Sequence, residues 1–342
     1  MSGPAAQRLE FLPFAKLHGL GNDYVYLTEE GAQASGLALD ELARFVSDRN
    51  FGVGSDGLIV VGVDHAGDDG GDGGCGGGGG GALSMRMFNA DGSESAMCGN
   101  GVRCATKFGI ERRLASANPV SMRTGKGTVV VEWFRDGSGA ITRARVDMGE
   151  PELGCSSIPA VVPGVANDSS VVGRPISDGE WVGFGVDGDW AGACGLVRAA
   201  TLVSMGNPHL VMFCADVAAV PLESVGPRLE RASWFPKRTN VHVVQCGGSR
   251  GSPATAVRMR TWERGSGITQ ACGSGACAVV VAGVLEGRLA RRVDVRLPGG
   301  TLAIEWSPGG HVVMEGGCTA VFEGALNLST MDEWRRVRGG TA

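Results

Sequence analysis

Apolar positions recur along this chain at two spacings. In the first half, short runs rich in β-branched and aromatic residues read as strands: FAKLH, YVYL, LIVVGV, LSMRMFN, VSMRT, TVVVEWF and ITRARVDM. Between them, LDELARFVSDR sets Leu39, Leu42, Phe45 and Val46 on one helical face. A second helix is predicted after Cys98, through VRCATKFGIERR. The second half repeats the pattern with TLVSM, HLVMF, TNVHVVQ, AVRMRTW, a helix through GACAVVVAGVLEG, then VDVRLP, TLAIEW and HVVMEG. The helical run after Cys272 is small or apolar on every side, which is the pattern of a buried helix. Each half therefore predicts strands wrapped around one central helix.

The halves are copies. VSMRTGKGTVVVEW (120–133) and VDVRLPGGTLAIEW (293–306) share Arg, Gly, Thr, Glu and Trp at an offset of 173. Cys98 and Cys272 are 174 apart, and Asn22 and Asn207, in GLGNDYVYL and SMGNPHLVMF, are 185 apart. The first half is thus longer between its asparagine and its cysteine. The glycine-rich stretch at 66–82 supplies the extra length. Such a tract buries no apolar surface and is expected to be a surface loop; Cys75 within it carries no expected role. The fold class expected is α/β (α+β): two pseudo-symmetric duplicated domains, each a mixed sheet or barrel wrapped around a central helix. The boundary is placed in VDMGEPEL, giving domains 1–147 and 148–319.

Composition narrows the function. The chain has 342 residues, 43% of them hydrophobic, and a net charge of −5. No extended basic face is legible, so no nucleic-acid partner is expected. The longest apolar run is too short to span a bilayer and the first residues do not read as a secretory leader, so neither a membrane partner nor export is expected. Ten cysteines without paired metal spacing, and five scattered histidines, predict no metal site and a reducing, cytoplasmic location.

The chemistry sits in CGNG and CGSG, which carry Cys98 and Cys272. A helix start presents unpaired backbone N–H groups and a positive dipole end, which favour a thiolate and a carboxylate ligand. The flanking glycines are expected to admit a ligand close to those N–H groups. Two such sites in matched repeats suit inversion at a carbon bearing hydrogen. One thiolate takes the proton from one face and a thiol returns one to the other. Contact on both sides implies sulfurs about 6–7 Å apart in the closed state.

These motifs resemble the diaminopimelate epimerase family. The resemblance spans nearly the whole chain: KLHGLGNDYVYL, RNFGVGSDGLIVV, MRMFNADGSESAMCGNGVRC, MGNPHLVMF, RTNVHVVQ, ERGSGITQACGSGACA and LPGGTLAIEW. It implies an enzyme without cofactor that interconverts LL- and meso-diaminopimelate, for lysine and peptidoglycan precursors. Cys98 and Cys272 would be the acid/base pair. Gly99, Asn100, Gly273 and Ser274 would hold the reacting carboxylate. Asn22, Asn89, Asn207, Asn240, Glu263 and Arg264 would contact the substrate, and His209 and Glu263 would tune the cysteines. Gly57 stands where some members carry a glutamine, and that role is not transferred. The family arrangement also implies that the tail 320–342 returns to the first domain, and that a homodimer is possible. Each residue has a structural alternative: turns for Asn22, Asn89 and Asn207, a cap for Asn240, a surface pair for Glu263–Arg264, a core position for His209. A proline racemase-like isomerase and a cysteine-based redox or metal-binding module remain as alternative functions.

Overall fold

The computed structural model describes residues 9–64, 81–95, 99–186, 189–247 and 252–338. Cys98, Cys75 and residues 66–80 of the expected loop lie outside them. The chain divides into two compact units, one ending at Val146 and resuming at Gly317, the other Asp147–Gly316.

The first unit opens with β1 (Phe11–Gly19), β2 (Asn22–Thr28), α1 (Glu29–Ala34), α2 (Leu39–Ser47), β3 (Gly57–Asp64), β4 (Ala82–Asn89) and β5 (Glu94–Ser95). It continues with α3 (Gly99–Glu111), β6 (Val120–Thr124), β7 (Gly127–Arg135) and β8 (Ile141–Asp147). The strands run β1-β2-β3-β4-β6-β7-β8. Pairing is antiparallel, parallel, antiparallel, parallel, antiparallel, antiparallel. Each parallel step needs a crossover: α1 and α2 bridge β2 to β3, and α3 bridges β4 to β6. Helix α3 packs on β1, β2, β3, β4, β6 and β7 and is buried from Asn100 to Ile110. Helix α2 buries Leu42, Phe45 and Val46, as its spacing predicts, against Val25, Leu27, Leu58 and Phe88.

The second unit contains β9 (Arg174–Pro175), α4 (Asp178–Gly183), α5 (Trp190–Ala193), β10 (Ala199–Ser204), β11 (Pro208–Cys214), α6 (Leu222–Glu230) and β12 (Asn240–Cys246). Then come β13 (Ala254–Glu263), β14 (Gly267–Ile268), α7 (Gly273–Leu285), β15 (Leu289–Leu297), β16 (Gly300–Trp306) and β17 (Val312–Gly317). Its order β10-β11-β12-β13-β15-β16-β17 repeats the pairing sequence of the first unit step for step. Helix α7 is buried from Gly275 to Gly283 and packs on β10, β11, β12, β15 and β16. The segment 150–198 has no counterpart in the predicted elements. It closes a second core of Ile158, Trp181, Phe184, Leu202, Leu229 and Trp234, with α4 started by a Ser177–Glu180 capping box.

The chain returns to the first unit with β18 (Thr319–Asn327), antiparallel to β1 from Phe11↔Asn327 to His18↔Thr319. Helix α8 (Met331–Val337) follows and buries Met331 and Trp334 in the α2 core. Arg335 grips Glu41 through Nε at 2.6 Å and Nη2 at 2.9 Å, which holds the Glu41 carboxyl below its ordinary range.

Candidate functional site

In the second unit the residues singled out by sequence collect at one end of three neighbouring strands and the start of α7. Cys272 is the residue that precedes α7, in extended conformation, and is 4% exposed. Its Sγ lies 3.9 Å from Ser274 Oγ. The helix-start expectation for this thiol is overturned in one respect. Burial pushes its pKa well above the ordinary value, and the carboxylate of Glu263 adds to the rise; the Gly275 backbone N–H and the Ser274 hydroxyl oppose it without winning. Glu263, at the end of β13, accepts a 2.5 Å hydrogen bond from Thr269 Oγ1.

At Gly275 a Cβ would lie 2.3 Å from His242 Cε1 and 3.0 Å from Cys272 Sγ. The missing side chain makes room for the His242 ring. Gly273 opens the helix and is buried.

His209 on β11 is wholly buried. Its Nε2 lies 3.0 Å from Asn207 Oδ1 and its Nδ1 lies 2.8 Å from His242 Nε2. His242 Nδ1 is in turn 3.0 Å from Thr261 Oγ1. The register explains the row: His209 pairs with Asn240 across β11–β12, and His242 with Thr261 across β12–β13. Complete burial drives the His242 pKa down to about 3. Asn240 is also buried; its Nδ2 donates to Pro208 O at 2.9 Å and its Oδ1 accepts from the Arg264 backbone N–H at 2.9 Å. Asn240 thus ties β11 to the Glu263–Arg264 turn. The Arg264 guanidinium donates to Lys237 O at 3.0 Å.

The first unit holds the other set. Gly99 and Asn100 open α3, and Asn100 Oδ1 accepts from Arg103 Nη2 at 2.9 Å. The Arg103 side chain is fully buried and also donates to Gly99 O and Gly317 O, each at 3.3 Å. Asn22 Nδ2 donates to Asp56 Oδ2 at 2.9 Å, on a carboxyl whose pKa burial and the nearby Asp23 raise. Asp23 is held by Lys16 at 2.7 Å. Asn89 spans a turn: its Nδ2 donates to Ser93 Oγ at 2.9 Å and its backbone bonds Ser93 and Gly92.

Sequence reasoning passed over His242, Thr261, Thr269, Asp56 and Arg103. His242 lies inside the quoted run RTNVHVVQ, but alternation along a strand marks it only as one more inward position. What identifies it is the pair of histidines across β11 and β12, and strand register is not written locally.

A mixed sheet packed around a buried helix, occurring twice, defines the class: the fold shared by solved epimerases, racemases and isomerases. Two solved structures share the fold. A phenazine biosynthesis protein from Bacillus anthracis matches with TM-score 0.58 at 13% identity, over 93% of this chain and 99% of that one. A probable proline racemase from Agrobacterium radiobacter matches with TM-score 0.57 at 13% identity, over 92% and 93%. Sequence goes further. The family model described as diaminopimelate epimerase matches residues 14–154 and 201–321. A diaminopimelate epimerase from Pelotomaculum thermopropionicum is 40% identical over 93% of this chain and 99% of its own length. One from Desulfovibrio desulfuricans is 41% identical over 92% and 97%. The chain belongs to the diaminopimelate epimerase family.

Proposed function

We propose that this chain epimerises LL-diaminopimelate to meso-diaminopimelate without a cofactor, moving the α-proton between Cys98 and Cys272. The carrying observation is the Cys272 thiol, buried at the start of α7 with Glu263 beside it. Burial and a neighbouring carboxylate keep this sulfur protonated, as a proton donor must be before it acts. As the thiol gives up its proton, the helix-start N–H groups and the Ser274 hydroxyl stabilise the resulting thiolate. The partner cysteine, as thiolate, takes the α-proton; the electron pair left on carbon is spread into the α-carboxylate, and the donor thiol protonates the opposite face. At the end the two sulfurs have exchanged states, ready for the reverse reaction.

Gly99, Asn100, Gly273 and Ser274 are assigned to the α-carboxylate, and Asn22, Asn89, Asn207, Asn240, Glu263 and Arg264 to the rest of the substrate. Amides suit a distal centre that carries both an ammonium and a carboxylate, since they accept from one and donate to the other. His209 and Glu263 tune the cysteines. The relatives' names favour this substrate over proline, since the proline racemase shares the fold at 13% identity whereas the diaminopimelate epimerases reach about three times that. The expected setting is cytoplasmic lysine and peptidoglycan precursor synthesis.

The test is to incubate reduced protein with LL-diaminopimelate in heavy water and follow the α-proton by NMR, with L-proline in parallel. Solvent deuterium in a meso product, from diaminopimelate alone, is the expected result. Exchange with proline alone would move the chain to the racemases; exchange with neither would defeat the assigned activity.

A further inference from the structure

Four side chains form one row across β11, β12 and β13: Asn207, His209, His242 and Thr261, linked at 3.0, 2.8 and 3.0 Å. The proton positions follow from the end of the row. Asn207 presents its Oδ1, which only accepts, so His209 Nε2 carries a proton. Full burial disfavours a charged His209 ring, so its Nδ1 accepts and His242 Nε2 donates to it. The remaining His242 Nδ1 accepts the Thr261 hydroxyl. Every bond points the same way, and complete burial disfavours a charge on either ring.

We infer that His242 is a positioning residue: it holds His209 as the Nε2–H tautomer and so turns the Asn207 amide to show its NH2 group, not its oxygen, to a ligand. With its oxygen engaged by His209, Asn207 offers donors, and its complement on the substrate is a carboxylate rather than an ammonium. The inference rests on the assignment of Asn207 to the substrate made above. Gly275 is the second half of the device. Its bare Cα leaves the space the His242 ring fills, at a point where any side chain would strike Cε1. The row therefore abuts the same helix start that carries Cys272. His242 touches no substrate in this scheme; it acts through His209.

The test combines spectroscopy and kinetics. Isotope-labelled histidine nitrogens in the wild-type protein, free of substrate near neutral pH, are expected to report His209 protonated on Nε2 and unprotonated on Nδ1. A wild-type His209 protonated on Nδ1, or doubly protonated, overturns the inference and needs no variant to be stable. His242→Leu removes the donor; its His209 signal is expected to lose the single-tautomer pattern and its KM to rise about ten-fold, with kcat within about three-fold of wild type. His242→Gln keeps an N–H at the same reach and is expected to return KM to within about three-fold. Asn207→Ala separates the two claims. Wild-type KM in folded His242→Leu, beside a raised KM in Asn207→Ala, sinks the inference alone. Wild-type KM in both sinks the assignment of Asn207 on which it stands.

Discussion

Helices α3 and α7 hold the same place in two repeats of one sheet, yet their interiors differ. At a spacing of 174 residues, Arg103, Thr106 and Lys107 of α3 correspond to Cys277, Val280 and Val281 of α7. All six are buried. The apolar helix needs only packing. The polar one needs partners, and it has them: Thr106 Oγ1 donates to Val102 O at 3.0 Å, and Lys107 Nζ donates to Glu111 at 2.8 Å and to Ile141 O at 2.7 Å. Arg103 reaches Gly317 O, where the chain re-enters the first unit. One architecture thus accepts either solution, provided every buried polar atom is answered. The polar solution also links α3 to β8 and to the returning tail.

The comparison breaks most sharply at the cysteines. If the repeats share the chemistry, Cys98→Ala and Cys272→Ala each lower epimerisation by about a thousand-fold or more, read as meso product formed from LL-diaminopimelate. Full activity in either variant would leave one repeat catalytically silent.

Acid stability separates the histidine row from the rest. The unfolded His242 binds a proton below about 6.5 and the folded one only below about 3, so folding loses stability as pH falls through that window. The loss approaches about 4 kcal/mol at its lower end. Urea titrations of wild type and His242→Gln at neutral and acid pH are expected to show a shallower acid loss in the variant; parallel losses would remove the ring from the account.

Arg103→Leu removes a donor from the Asn100 amide oxygen and from two carbonyls, and costs about 3 kcal/mol of stability. Its counterpart Cys277→Ala removes one sulfur from a packed helix and costs about 1 kcal/mol. Denaturant midpoints test the pair, and equal losses would contradict the distinction between the helices.

Gly275→Ala forces a methyl against His242 and Cys272, at a cost of about 2 kcal/mol with activity reduced. At Gly109 and Gly283, equivalent positions late in the two helices, the atoms nearest an added Cβ belong to Leu and Val side chains, so their Ala variants cost stability and spare the thiol. Thermal melts and cysteine alkylation distinguish the two outcomes.

The smallest effect concerns charge. Glu263→Gln removes a carboxylate that raises the Cys272 thiol, so its pKa falls and alkylation at neutral pH quickens by about ten-fold. An unchanged rate would leave burial as the whole cause.

Much of this protein was legible along the chain. Short apolar runs rich in β-branched and aromatic residues marked β1 through β4 and β10 through β13. The 173–174 offset announced that both sheets share one topology, and the glycines after Cys98 and Cys272 marked two helix starts. Family membership was legible too, since it rests on motifs and their order. The structure alone decided the rest. Residues 150–198 have no counterpart in the repeat and no strong period, so α4 and α5 emerge only with their core. The high thiol pKa of Cys272, the ring that fills the space above Gly275, and the bonds that satisfy Arg103 all depend on residues far apart in sequence. Periodicity is a local property and can be read from neighbours; desolvation and strand register are properties of the assembled core, and exist only once it has formed.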